Sequence, residues 1–377
     1  MKKNKTIAKI MISGYYGFNN TGDEAILTTM VRDFKEKIPQ IKIVTLSNKP
    51  LQTSQFYDID SINRLNLIKI LSCLRDTNLF ISGGGGLLQD STGKGWSILY
   101  YLGLILIARI FSVPIIIYAQ GIGPINKQIN RKLVKWILNK VDLITVRDSA
   151  SKELLENLGI INSSIYVNSD AAFLLKKRQV TDIINKYPHI KSLICSNSCS
   201  TIGISVRDFD EENKDLKRVF AKLVDDLIEY YKVKVVFLPF KFNEDVYISE
   251  EIISLMKNKN QIDILKTKLE PEELLSLLPQ FSLMVGVRLH SIIFSAIANI
   301  PFIAINYDPK VKNFVENLCL PELLLELENI SLKTIKEKIK YIKENKDNIN
   351  KILLEKTVIL EEKARSNNEL VFKLLKL

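Results

Sequence analysis

The chain has 377 residues, 46% of them hydrophobic and 25% charged, a balance that fits a globular protein long enough for two domains. A net charge of +11 favours acidic partners such as phosphorylated small molecules or an anionic lipid surface, although lysine and glutamate alternate along much of the chain as on an ordinary solvated face. No aromatic-and-basic RNA motif and no zinc-finger spacing is present, so a nucleic-acid partner is not expected.

Met1-Lys2-Lys3-Asn4-Lys5 is basic, but the apolar run after it is short and reads as a strand rather than a signal peptide. That strand, 7–12, enters a turn built from Gly14, Gly17, Asn19, Asn20 and Gly22, and a helix opens at Asp23-Glu24-Ala25. Strand, glycine turn and helix present backbone N–H groups to an anion. Neither G-x-G-x-x-G nor a Walker lysine accompanies them. Further strands are expected at 41–46, 78–82, 115–119, 142–146 and 165–167, and helices at 24–37, 64–74, 96–111, 128–139 and 149–157. Continuous apolar strands alternating with helices indicate a parallel sheet covered on both faces, a Rossmann-type domain. The segment from Trp96 to Ala108 is apolar but shorter than the roughly 20 residues that span a bilayer. It reads first as a buried helix and second as one resting on a membrane surface.

Three glycine or polar clusters follow strands in this half. Ser82-Gly83-Gly84-Gly85-Gly86 removes every side chain where the chain leaves the sheet, so a ligand or another backbone can approach Gly84 and Gly85 closely. Tyr118-Ala-Gln-Gly121-Ile-Gly-Pro124 is the second. In the third, Thr145-Val-Arg147-Asp148-Ser149, Asp148 or Ser149 can cap a helix, and Arg147 stands at a strand's carboxyl end, where such sheets bind ligands.

Residues 176–201 read as a linker, with Lys176-Lys177-Arg178 at one end and the polar run Cys195–Thr201 at the other. Cys195 and Cys199 lack a second Cys or His pair to complete a metal site, so reduced thiols and no metal are expected. A second α/β series follows, with strands at 202–206, 233–238, 262–264, 282–287 and 301–305 and helices at 211–231, 245–257, 271–278 and 290–298. Arg207 follows the first of these strands. Gly286-Val287-Arg288-Leu289-His290-Ser291 places a cation, an imidazole and a hydroxyl where a helix begins, and such an end gathers anions. Asn306-Tyr-Asp-Pro309-Lys310 follows the last strand, with Pro309 stiffening the turn that carries Lys310. The tail 331–377 is helical and rich in Lys and Glu. The expected architecture is α/β and GT-B-like: Rossmann-type domains at 1–175 and 202–330 facing a central cleft, with a helical C-terminal tail. Arg147, Arg207, Arg288, Lys310 and His290 all fall at strand ends, which suggests one small, highly anionic ligand.

Eight segments in series, GYYGFNNTGDEAIL, SGGGGLLQD, YAQGIGP, TVRDSAS, SDAAF, GISVR, GVRLHSIIF and NYDPKV, resemble the polysaccharide pyruvyl transferase family in its bacterial cell-wall branch, CsaB. The resemblance covers about residues 10–315 and implies a GT-B-like fold. It implies transfer of pyruvate from phosphoenolpyruvate to a sugar as a cyclic ketal. The acceptor implied is N-acetylmannosamine of a lipid-diphosphate-linked disaccharide, ketalised at O4 and O6 for a wall polymer that anchors S-layer proteins. Arg147, Arg288, His290 and Lys310 map onto the family's donor contacts, with Arg207 and Ser291 beside them. Such a reaction needs fixed cations for phosphate and carboxylate and a group that moves protons, a role an imidazole such as that of His290 can take. It needs no cofactor and no metal. The opening turn then faces the acceptor: Tyr15, Tyr16 and Phe18 offer flat surface to a sugar, Asn19, Asn20 and Asp23 offer hydroxyl partners, and Asp23 or Glu24 is a candidate base. A lipid-linked acceptor implies work at the cytoplasmic face of the membrane, by peripheral association. The competing readings are a GT-B glycosyltransferase using a nucleotide sugar and a non-catalytic polysaccharide-binding protein.

Overall fold

The computed structural model describes residues 8–91, 96–161, 164–194, 200–208 and 215–376. Cys195, Cys199, the first residues of the helix expected from 211, and the basic N-terminal pentapeptide lie outside them. The chain divides into two compact units: Met1–Leu175 with Leu360–Leu377, and Lys176–Ile359.

The first unit runs β1 (Lys9–Tyr16), α1 (Thr21–Lys37), β2 (Lys42–Ser47), α2 (Pro50–Tyr57), β3 (Asp60–Asn63), α3 (Leu67–Leu74), β4 (Leu79–Gly83), α4 (Trp96–Ile110), β5 (Ile115–Gln120), α5 (Gln128–Leu138), β6 (Leu143–Val146), α6 (Ser149–Asn157) and β7 (Ile165–Val167). Its seven strands are parallel in the order β3-β2-β1-β4-β5-β6-β7. Successive side chains of a strand point to opposite faces, and both faces are buried. Ile10 and Ile12 pack with α1, while Met11 packs with α4 and α5 on the other side. The strand order reverses between β1 and β4, so the loops leaving these two strands part and open a crevice at their carboxyl ends.

The second unit repeats the plan. It runs α7 (Val180–Lys186), α8 (Ile190–Ile194), β8 (Thr201–Ser205), α9 (Asp215–Tyr231), β9 (Lys234–Phe237), α10 (Phe242–Leu255), β10 (Ile262–Ile264), α11 (Pro271–Leu277), β11 (Leu283–Gly286), α12 (Leu289–Ala298), β12 (Phe302–Asn306), α13 (Pro309–Asn317), β13 (Leu324–Glu326), α14 (Leu332–Glu344) and α15 (Lys346–Leu374). Its parallel order is β10-β9-β8-β11-β12-β13, reversing between β8 and β11.

Several elements differ from the sequence expectation. The opening turn is shorter than its glycines suggest, because β1 continues through Tyr16 and α1 begins at Thr21. Much of the stretch read as a linker is folded onto the second unit: Ile183, Ile190 and Leu193 are buried, and Lys186 bonds to Glu273 at 2.8 Å. Both α2 and β3 were unanticipated, since 50–63 is too polar to show a periodicity. The tail is two helices, and the end of α15 belongs to the first unit. There Asn368 accepts from Tyr118 at 2.6 Å and donates to Asp33 at 2.9 Å. The apolar segment from Trp96 forms α4, whose Ile98, Tyr101, Leu102, Leu104, Ile105 and Ala108 are in the core. Among the described residues no helix is long and apolar enough to cross a membrane.

Candidate functional site

In the second unit the crevice is lined with cations. Gly286 ends β11, and Arg288 occupies the N-cap position of α12. Its guanidinium does not reach into open solvent but grips Asp245 on the first turn of α10, with Nε 2.7 Å from Oδ2 and Nη2 2.5 Å from Oδ1. Asp245 is fully buried and also accepts from the backbone N–H groups of Phe240 (2.9 Å) and Lys241 (2.8 Å). One carboxylate therefore ties the turn after β9 to the turn after β11 and fixes the planar fork. Burial works against the charge on Arg288, and Asp245 outweighs it, so the guanidinium is held charged more firmly than usual.

Tyr307, just after β12, gathers two more cations. The Arg207 guanidinium lies 4.4 Å from its ring centroid and Lys310 Nζ lies 5.6 Å from it. Tyr307 is also close enough to Arg288 to bear on its charge. Asp308 caps α13 by accepting from the Lys310 backbone (3.1 Å), and its carboxylate meets Lys310 Nζ at 2.9 Å. Arg207, Arg288 and Lys310 thus come together, with His290 as the second residue of α12 and its Nε2 shielded from solvent. Ser291 has a different task from the donor contact expected of it. It is completely buried, and its hydroxyl donates to the Arg288 carbonyl at 2.6 Å, closing the first turn of the helix.

In the first unit the corresponding crevice sets one cation, Arg147, among several acids. Asp23 is nearly buried, and its carboxylate lies on Gly85, where a Cβ would come within 2.4 Å of Oδ1; Gly85 also has φ +66°. Gly84 packs on Ile26. The amide of Gly121 donates to the Gly85 carbonyl at 2.9 Å, and Arg147 lies flat on Gly121, so close that a Cβ would meet Nε at 2.6 Å. Only glycine at 85 and 121 lets the two charged groups settle onto these loops. Arg147 pairs with Asp170 at 3.0 Å and Asp148 at 3.8 Å. Burial opposes its charge, and Asp170, Asp148 and more weakly Asp23 overcome that. Asp148 caps α6 by accepting from Ser151 N at 2.7 Å.

The opening turn holds one of its own residues. Glu24 accepts from the Gly17 amide at 2.8 Å and from the Tyr57 hydroxyl at 2.8 Å, and burial keeps that hydroxyl protonated as a donor. Asn20 caps α1 through the Gly22 amide at 3.2 Å. Two of the turn's N–H groups are therefore already occupied, and the Glu24 carboxylate is engaged within the turn. Tyr16 is enclosed, with its hydroxyl on the Gly83 carbonyl at 3.3 Å, so it offers no surface to a sugar. Asn19, in a left-handed conformation (φ 59°), shapes the bend before Asn20. Tyr15 stacks on Phe18 with centroids 4.0 Å apart, and the Arg64 guanidinium lies between Phe18 (5.1 Å) and Tyr100 (4.2 Å).

Asp245, Tyr307 and Asp170 were not singled out from the sequence. Tyr307 and Asp170 lie inside motif segments, NYDPKV and SDAAF, whereas Asp245 has only its place on a helix's first turn to mark it.

The family model for polysaccharide pyruvyl transferase matches residues 20–309. The chain is 24% identical over 256 residues to the amylovoran biosynthesis protein AmsJ of Erwinia amylovora, a match that takes in 65% of this chain and spans about 61% of that protein's length. Solved structures with similar folds include Anabaena HepE in complex with UDP-glucose (TM-score 0.64, 13% identity, 98% of this chain and 99% of that one). Another is the UDP-GlcNAc 2-epimerase of Neisseria meningitidis bound to UDP-GlcNAc (TM-score 0.64, 14% identity, 97% and 100%). At such identities the likeness is one of fold alone, the GT-B class.

Proposed function

The chain belongs to the polysaccharide pyruvyl transferase family, and from that premise we propose that it moves the three-carbon unit of phosphoenolpyruvate onto two hydroxyls of one sugar as a ketal. The observation that carries this reading is the gathering of Arg207, Arg288 and Lys310 about Tyr307, with His290 at the same helix start. Phosphoenolpyruvate bears a phosphate and a carboxylate, and each charge-assisted contact is worth about 1.5–3 kcal/mol. Asp245 takes the Nε–Nη2 edge of Arg288, so that arginine meets the phosphate through Nη1.

His290 gives a proton to the CH2 carbon, which becomes a methyl, and the neighbouring carbon becomes oxocarbenium-like. The first sugar hydroxyl adds there and returns a proton to His290. The second hydroxyl adds as phosphate leaves, and its proton departs with the phosphate. Arg288 and Lys310 offset the charge that builds on the leaving group. In the first unit Asp23, with the glycine loop Gly84–Gly85, takes the acceptor; Tyr15 and Phe18 offer it a flat face. We assign the acceptor to the lipid-diphosphate-linked disaccharides of the cell-wall branch, with N-acetylmannosamine ketalised at O4 and O6 for S-layer anchoring. Such an acceptor keeps the enzyme at a membrane surface.

Incubation with phosphoenolpyruvate and a synthetic lipid-linked disaccharide tests this. Phosphate release should match the gain of one pyruvyl ketal by mass, and in deuterated water the new methyl should carry deuterium. His290→Ala should lower turnover by about 10²–10⁴-fold with unchanged thermal unfolding. The similar folds that hold UDP-glucose or UDP-GlcNAc make a nucleotide sugar the competing donor. Consumption of a nucleotide sugar in place of phosphoenolpyruvate would overturn the reading, and binding of the disaccharide without turnover of either donor would favour a binding protein.

A further inference from the structure

The sequence from Ser91 to Val141 contains no Asp or Glu, in a chain that has 42 of them. Both of the chain's tryptophans, Trp96 and Trp136, fall in this stretch. So do Arg109, Lys127, Arg131, Lys132, Lys135 and Lys140. The structure puts them on or at the ends of two neighbouring helices of the first unit, α4 and α5, which cover the same core.

The outward sides of these helices are neither core nor ordinary surface. On α4, Trp96, Gly103 and Ile110 recur every seven residues and so share one line, and Trp96 and Ile110 are each 71% exposed. No charge falls on α4 before Arg109. On α5, Val134, Ile137 and Leu138 face inward. Ile129, Lys132 and Trp136 recur at three and four residues along the outward stripe, and Lys140 follows just past the helix end. Ile129 is 62% and Trp136 50% exposed, and Lys140 Nζ stands 3.7 Å from the Trp136 ring centroid.

We infer that the outward faces of α4 and α5 form a docking surface for an anionic lipid bilayer. Two exposed indoles and two exposed isoleucines supply side chains that favour the headgroup boundary, and Lys132, Lys135 and Lys140 stand beside them to meet lipid phosphates. Association of this face with a second copy of itself would set like charges against each other. Nucleic acid would use the cations but leave the uncharged line of α4 without a partner. The inference deepens the membrane placement proposed above and requires no part of the donor chemistry.

The full chain, with neither phosphoenolpyruvate nor acceptor present, should co-sediment with phosphatidylcholine vesicles containing phosphatidylglycerol and not with phosphatidylcholine alone, and high salt should release it. Because both tryptophans lie on the surface in question, brominated acyl chains should quench the intrinsic fluorescence, a readout that needs no variant. Lys132→Glu with Lys140→Glu should weaken partitioning about ten-fold or more, with thermal unfolding close to the parent's. Absence of binding to the phosphatidylglycerol vesicles, tryptophans unquenched in the bound protein, or partitioning unmoved by the double reversal would each overturn the inference. So would fluorescence changes produced by duplex DNA or by self-association at higher protein concentration in place of vesicles. Vesicle binding without turnover would sink the proposed reaction and leave this surface standing, and turnover without vesicle binding would do the reverse.

Discussion

The two crevices are built on the same parallel plan, each with a part-buried arginine where a strand gives way to a helix, and they use that arginine differently. Arg147 follows β6 with its side chain 7% exposed, and two carboxylates, Asp170 and Asp148, hold it. Arg288 follows β11 at 16% exposure and is gripped by the carboxylate of Asp245, with Glu244 adding a weaker attraction. Around Arg147 the neighbouring charges are acids, Asp23 among them. Around Arg288 they include the further cations Arg207 and Lys310, joined through Tyr307. The same local device therefore makes a charge-balanced wall in one unit and a surplus of positive charge in the other. On the proposed reading the first faces the acceptor's sugar hydroxyls and the second the small polyanionic donor.

Removing the carboxylates should separate these cases most sharply. Asp245→Ala leaves Arg288 buried without its partner and strands the amides of Phe240 and Lys241, at a cost of about 3–5 kcal/mol. Asp170→Ala leaves Asp148 and Asp23 to hold Arg147 and should cost clearly less. Urea unfolding midpoints of the two variants measure the difference. Equal losses would break the distinction drawn between a singly and a multiply held arginine. Asp245→Asn, which keeps the shape, should retain most stability yet raise KM for phosphoenolpyruvate, because the fork is no longer fixed by charge.

These pairs also mark how far the sequence could be read. Strand ends carrying Arg147, Arg207, Arg288 and Lys310 were legible because apolar runs stop abruptly at glycine or charge, and such stops are local signals. What each side chain bonds to was not legible. Asp245 lies 43 residues from Arg288 and Asp170 lies 23 from Arg147, and only the parallel crossovers bring them together. The acceptor-side residues misled for the same reason. Tyr16, Asn20 and Glu24 have the right chemistry for a sugar, but the fold turns them onto Gly83, Gly22, Gly17 and Tyr57. Helix α7 was missed because it is short and its apolar contacts are with α11, far along the chain.

A smaller effect is expected at Tyr307, whose ring stands between Arg207 and Lys310. Tyr307→Leu removes a cation–π attraction worth about 0.5–2 kcal/mol, so KM for phosphoenolpyruvate should rise by roughly 2- to 30-fold with little change in stability. Tyr307→Phe keeps the ring and should stay near the parent. If Phe loses as much as Leu, the hydroxyl and not the ring orders the cations, and Arg288 becomes the group through which Tyr307 acts.

The smallest effect tests whether acids in the first unit serve the fold rather than the ligand. Asp90 ends the glycine loop after β4 and accepts from the amides of Asn126 (2.7 Å) and Lys127 (2.9 Å) and from Asn130 (2.9 Å). Burial opposes its ionisation, and these donors outweigh it, so its carboxyl titrates below the ordinary aspartate range. A folded-state value below the unfolded one means that its stabilisation is complete above the unfolded value. It is lost as pH falls through the folded one. Asp90→Asn, which keeps one acceptor, should cost about 1 kcal/mol at neutral pH. The gap to the parent should narrow as both are taken into acid, because the parent's own carboxylate is then protonated. Unfolding midpoints across that range read the effect, and acceptor KM at neutral pH should not move. A variant that keeps its stability but loses affinity for the sugar would instead place Asp90 among the ligand's partners and make the first crevice a more crowded site than its internal bonds imply.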